Sequence, residues 1–78
     1  MISTREAAAI VAHVARQTGV AEIDITGESR VPHVVRARDQ VVAILADRGC
    51  PPTKIGRLML RDHSTILHSL KKQKRAAV

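Results

Sequence analysis

Asp62-His63-Ser64 sets a carboxylate, an imidazole and a hydroxyl side by side, the residue types of a hydrolytic triad. A triad needs its three groups in line, and neighbours on a helix fan out by about 100° each. Catalysis is therefore not expected, and the chain is not read as an enzyme. His63 and His68 are five apart, not the three or four that stack two ligands on one helical face. Cys50, the single cysteine, is distant from both, so neither a metal site nor another cofactor is expected. His13 and His33 read as surface residues and Cys50 as a small buried or loop residue. What the triplet does suit is base recognition. His63, Ser64 and Thr65 are small or polar, and such residues at a helix start enter a major groove without bulk.

The charge distribution agrees with that chemistry. The 78 residues carry a net charge of +6. Residues 1–30 have Arg5, Arg16 and Arg30 against Glu6, Glu22, Asp24 and Glu28, a net of −1. Residues 31–78 have ten basic groups against Asp39, Asp47 and Asp62, a net of +7. A basic half on a near-neutral half points to a polyanionic partner. The absence of Phe, Trp and Tyr argues against RNA modules, which stack bases on aromatics, and against membrane-surface helices, which need bulky apolar anchors. No apolar run approaches the ~18 residues of a membrane span, and the N-terminus lacks a signal-peptide pattern. A single domain over residues 1–78 of a soluble cytoplasmic protein is expected.

Five helices position these groups. Ser3-Thr4-Arg5-Glu6 is a capping-box pattern, and Ala7, Ile10, Val11 and Val14 follow at helical spacing up to Gly19, predicting a helix over 4–17. A short turn of helix is predicted over 20–25, then a loop from Thr26 to Pro32. Val34, Ala37, Val41, Ile44 and Leu45 form one stripe of a helix over 33–48, with Gly49, Pro51 and Pro52 beyond it. Thr53 is expected to cap a helix over 53–59 that turns Ile55, Leu58 and Met59 inward. Leu60-Arg61 turns the chain, and Asp62 is expected to cap a last helix over 62–74 with Ile66, Leu67 and Leu70 inward. There Ser64, His68, Lys71 and Arg75 share an outward stripe, and a basic tail over 73–78 is expected to fray. Two short helices across a tight turn make a helix-turn-helix, so the fold class is a small all-α bundle with a helix-turn-helix motif.

The run Arg61-Asp62-His63-Ser64-Thr65-Ile66-Leu67-His68 closely resembles the signature of the C-terminal DNA-binding domain (domain IV) of the DnaA replication initiator. That signature reads roughly Arg-Asp-His-Thr-Thr-Val-Leu-His, identical here at six of eight positions. Ile55-Gly56 fits the family's scaffold helix, Arg36-Ala37-Arg38 its Arg-Pro-Arg motif, and Val14 to Ile25 its first helix and turn. The resemblance spans about residues 8–75. It implies that Asp62, His63 and Ser64 meet base edges in the major groove and that Arg30 enters the minor groove. Phosphate contacts are expected from Arg36, Arg38, Thr53, Lys54, Arg61, Thr65, His68 and Lys71.

The sequence departs from the family at two places. The family usually has two glycines where Leu60 stands alone, and its basic loop is here the thin Gly27-Glu28-Ser29-Arg30-Val31-Pro32-His33, with Arg30 opposed by Glu28. A target differing from the initiator's box is expected. The initiator's ATPase carries a phosphate loop ending in Gly-Lys-Ser/Thr, which this sequence lacks. The resemblance thus suggests reuse of the module in a shorter transcriptional regulator, such as an activator of phage-derived gene transfer agents. The alternative is origin-box binding in replication initiation or its control, and a remoter one is a protein-interaction module with a basic face. The expected partner is double-stranded DNA, with further domains or transcription and replication proteins as additional partners.

Overall fold

Ser3 begins the first helix as its sequence pattern requires: its hydroxyl accepts from the Glu6 N–H at 3.1 Å, satisfying one of the donors a helix start leaves open. The computed structural model describes the backbone of residues 3–76 and the side chains of residues 3–73. The elements are α1 Thr4–Thr18, α2 Glu22–Thr26, α3 Pro32–Asp47, α4 Pro52–Leu58 and α5 His63–Ala76. No strand occurs among the described residues. α3 lies at the centre, touching each of the other four helices, and α4 packs most extensively on α5. Without aromatic residues the core is built from aliphatic side chains, Met59 and the buried Cys50. Ile25, Ala37, Val41, Leu45, Ile55, Met59 and Ile66 are all but fully enclosed.

Four details differ from the sequence-based expectations. Thr53 does not cap α4. Pro51 holds that position without a side-chain bond and Pro52 is the first helical residue, because proline's fixed φ already matches a helix start. Val42 joins the buried stripe of α3 while Ile44 is only partly covered. Leu67 is 45% exposed, and the buried position on that part of α5 belongs to Ser69. Ser69 is tolerated there because its Oγ donates to Asp39 Oδ1 at 2.6 Å. Lastly, Gln73 is anchored rather than frayed. Its amide donates to the Asp39 carbonyl and to Ser69 Oγ, both at 3.1 Å, and α5 continues to Ala76. The Arg75 side chain and the end of the basic tail lie outside the described residues.

The turn between α4 and α5 sets the attitude of α5. The Arg61 N–H donates to the Gly56 carbonyl at 2.7 Å and the Leu60 N–H to the Arg57 carbonyl at 3.3 Å. This is the paired pattern that ends a helix on a left-handed residue. That residue is Leu60, at φ 57°, where a side chain costs about 1–2 kcal/mol. It is also 79% exposed, so its side chain recovers little by burial. Gly56 answers a different need: a Cβ there would lie 2.7 Å from the Arg61 carbonyl oxygen and 3.4 Å from the His63 nitrogen. These two positions should therefore respond in opposite ways in urea denaturation. Leu60→Gly should raise the unfolding free energy by about 0.5–1 kcal/mol after the entropy of the added glycine is deducted. Gly56→Ala should lower it by about 2 kcal/mol through overpacking against backbone.

Candidate nucleic-acid interface

α5 presents one polar face and buries the other. Ile66 and Ser69 are buried against α3 and α4, while Asp62, His63, Ser64, Thr65, His68 and Lys71 are exposed. Asp62 stands just before the helix, and its carbonyl accepts from the Thr65 and Ile66 N–H groups at 3.1 and 3.3 Å. The backbone thus starts the helix at His63, and the next two side chains leave it from its first, widest-fanned turn. The exposed set offers groups of the kind that can meet a groove: a carboxylate able to accept from an amino group, a hydroxyl able to donate or accept, and a cation further along the helix.

The loop between α2 and α3 is held by Arg38, which was expected on a phosphate. Its Nε donates to the Ile25 carbonyl at 2.8 Å, Nη1 to Ser29 at 3.0 Å, and Nη2 to Asp24 and Gly27 at 3.0 Å each. Four bonds from a five-donor guanidinium fasten the C-terminal end of α2 and the loop to α3. A phosphate reaching Arg38 would have to share donors already in use. Burial, and next the nearby positive charge of Arg61, lower the Arg38 pKa from its ordinary value. Arg30, within the loop so held, is exposed.

A cleft of about 340 Å³ separates this loop and α3 from α5, and Arg30, Arg38, Arg61, Thr65, His68 and Lys72 all line it. Lys72 pairs with Asp39 Oδ2 at 2.7 Å. Together with Ser69 and Gln73 on the same aspartate, this pair stitches α5 to α3. Arg61 sits where the turn meets α5, and its Nη2 is enclosed without a hydrogen-bond partner. The fold thus brings five of the expected contact residues to one cleft and its rim, beside the exposed start of α5.

The remaining expected contacts lie elsewhere. Arg36 is exposed on α3. Thr53 and Lys54 stand with Thr4 and Arg57 around a separate surface depression. The opening of α4 offers fewer free donors than the sequence suggested: Pro52 has no N–H, and the Lys54 and Ile55 N–H groups both bond the Pro51 carbonyl. Thr53 supplies the one remaining main-chain donor of that first turn.

The helix pair, with its exposed polar second helix, finds a counterpart among known families. The family model described as bacterial dnaA protein helix-turn-helix matches residues 7–72. The chain belongs to this DnaA C-terminal helix-turn-helix family. It is thus a DNA-binding helix-turn-helix domain, and α4 and α5 are its motif helices. Neither the curated proteins nor the solved structures compared with it give a match. Among the described residues, no helix is long and apolar enough to cross a membrane. The match covers α1 to α3 as well as the motif, so the Arg38-held loop is part of the family's domain and not an appendage. The sequence places Arg38 with Arg36 in the family's Arg-Pro-Arg motif and among the phosphate candidates. The four carbonyls of residues 24, 25, 27 and 29 that converge on it disclose its structural work.

Arg38→Ala should cost about 3 kcal/mol in stability, since four carbonyls lose a charged donor at once. Arg38→Lys should recover little, because an ammonium cannot span the four acceptors. Denaturant midpoints check both, and faster amide exchange over residues 27–31 should accompany the loss.

Proposed function

We propose that this DnaA-type domain reads a specific duplex sequence and serves as the DNA-binding part of a transcriptional regulator. The observation that carries the reading is the start of α5. Asp62, His63 and Ser64 stand exposed where the motif turn points the helix outward, with a cation-lined cleft immediately behind them. In this reading the three side chains meet base edges in the major groove. Asp62 accepts from a cytosine amino group, His63 packs on a thymine methyl, and Ser64 serves a donor or acceptor beside them. Thr65, His68 and Lys71 take phosphates further along, and Arg30 reaches the neighbouring minor groove, where arginine favours narrow A/T-rich stretches.

A target other than the initiator's box is supported by the two departures of this chain from its family. Leu60 replaces the glycine pair in the turn, which changes how α5 is presented. The loop carries Arg30 with Glu28 two residues away, which weakens its attraction to the minor groove. Both changes fall at elements that set sequence preference, and a changed preference suits a regulator acting at its own promoters. Selection of preferred duplexes from a random pool, followed by mapping of bound sites in cells, tests this. Enrichment at promoters with a motif unlike the initiator's box is the expected result. Enrichment at the replication origin alone would reassign the domain to replication control.

Two substitutions separate reading from holding. His63→Ala or Ser64→Ala should cost about 1–3 kcal/mol on the selected duplex and little on a scrambled one. Equal losses on both would make these residues backbone contacts. Lys71→Ala, by contrast, should weaken both duplexes alike and flatten the plot of log K against log salt by about one unit. An unchanged slope would remove Lys71 from the interface.

A further inference from the structure

Three of the described residues have a left-handed backbone, and the chain fills these positions unequally. Gly19, which ends α1, lies at φ 74°, and Gly49, just past α3, at φ 84°. Glycine adopts that conformation without steric cost. The third is Leu60, at φ 57° in the turn from α4 to α5. Its side chain does not join the aliphatic core and is 79% exposed, so neither packing nor backbone preference accounts for a leucine there. Exposure alone would say little. Ile23 is equally exposed within α2, and single surface aliphatics are ordinary. Leu60 differs in combining exposure with strain. A strained backbone that carries an uncovered bulky side chain marks a position kept for contact rather than for folding. Leu60 also stands two residues before Asp62, whose carbonyl opens α5 by accepting from the Thr65 and Ile66 N–H groups.

We propose that Leu60 is a further reading side chain: with α5 in the major groove, it packs on the C5-methyl group of a thymine close to the base pair that Asp62 meets. The inference rests on the duplex-binding reading above and adds to it a reading residue in the motif turn and the base it prefers. The thymine methyl is the apolar group that base pairs present in the major groove, and apolar side chains recognise it by contact. Consecutive Cα atoms are about 3.8 Å apart and successive base pairs about 3.4 Å, so a leucine two residues from Asp62 spans to a neighbouring base pair. The glycines usual in the family at this place have no side chain to offer, so the contact belongs to this chain. It covers on binding the apolar surface that the free protein leaves in water. The turn is also rigid, closed by the Arg61 N–H on the Gly56 carbonyl at 2.7 Å, so little freedom is lost when Leu60 is covered.

The test replaces the thymines of the selected duplex one at a time by deoxyuridine, which lacks only the methyl group. Wild-type protein should lose about fourfold in affinity at one thymine through Leu60. Leu60→Ala keeps a side chain on the left-handed residue but makes it too short to reach. It should lose about tenfold on the unmodified duplex and little on a scrambled one. It should lose nothing more at that thymine and keep its sensitivity elsewhere. Leu60→Met should retain most of the affinity and the sensitivity. Leu60→Gly should bind no better than Leu60→Ala and yet melt above wild type, which separates lost contact from lost folding. A Leu60→Ala variant that binds the duplex as tightly as wild type would overturn the proposal and leave Leu60 for contact with a protein. So would a wild type indifferent to deoxyuridine at every position, or a Leu60→Ala loss equal on selected and scrambled duplexes. A variant that binds more weakly but keeps every wild-type sensitivity would also overturn it, because Leu60 would then act only by placing α5. A wild type without sequence preference on any duplex would instead sink the reading on which the proposal rests.

Discussion

Two backbones meet at Gly56, and the rest of the interface is arranged around that meeting. The space that a Cβ would fill is taken by the Arg61 carbonyl oxygen and the start of α5 at His63. This approach lets α4 turn into α5 over four residues while Ile55, Met59 and Ile66 close a shared core beneath. It also fixes which residues of α5 face outward, because a helix anchored at its first turn and at Ile66 and Ser69 has no rotational freedom left. The exposure of Asp62, His63 and Ser64 follows from packing on the opposite side. The left-handed Leu60 shows how firmly the turn is imposed: a side chain is carried in a conformation that glycine would adopt without strain.

Around this motif the cations divide into those that build and those that remain available. Arg38 draws the end of α2 and the loop onto α3, and Lys72 joins Asp39, Ser69 and Gln73 in the polar seam between α3 and α5. Both serve the protein's own shape. Arg30, His68 and Lys71 stand exposed, and Arg61 is half-buried with its Nη2 enclosed and unpartnered. A net charge of +6 therefore overstates what a polyanion meets locally and understates how the charge is concentrated. In a domain of this size, whose whole stability is of the order of 10 kcal/mol, one arginine with four carbonyls is a large share of the structure.

Much of the fold was legible because its signals are local. The serine cap of α1, the glycine at φ 84° that ends α3, the prolines before α4 and the periodic aliphatic residues each act within a few residues of themselves. The helix boundaries read from them fall within about two residues of those observed. One miss was local: Thr53 lost its capping role to the adjacent prolines. At α5 the decisive partner was distant in sequence. Ser69 rather than Leu67 is buried, because Asp39, thirty residues before Ser69, offers its hydroxyl a partner. Gln73 is ordered for the same reason.

Local pattern is enough to mark this chain as a helical bundle with a helix-turn-helix in its second half, and a contiguous run supplies the signature residues of a DNA-binding family. Periodicity, capping and a contiguous eight-residue motif are properties of neighbours along the chain, so no coordinates are needed to see them. The use of each arginine was decided only by tertiary structure. Arg30, Arg38 and Arg61 are alike in the sequence, all basic and all near segments expected to meet DNA. Folding gives Arg38 four carbonyls, leaves Arg30 in solvent and half-buries Arg61, with its Nη2 enclosed and unpartnered. A guanidinium's role depends on which acceptors lie within about 3 Å of it, and which acceptors those are depends on how separate segments come together.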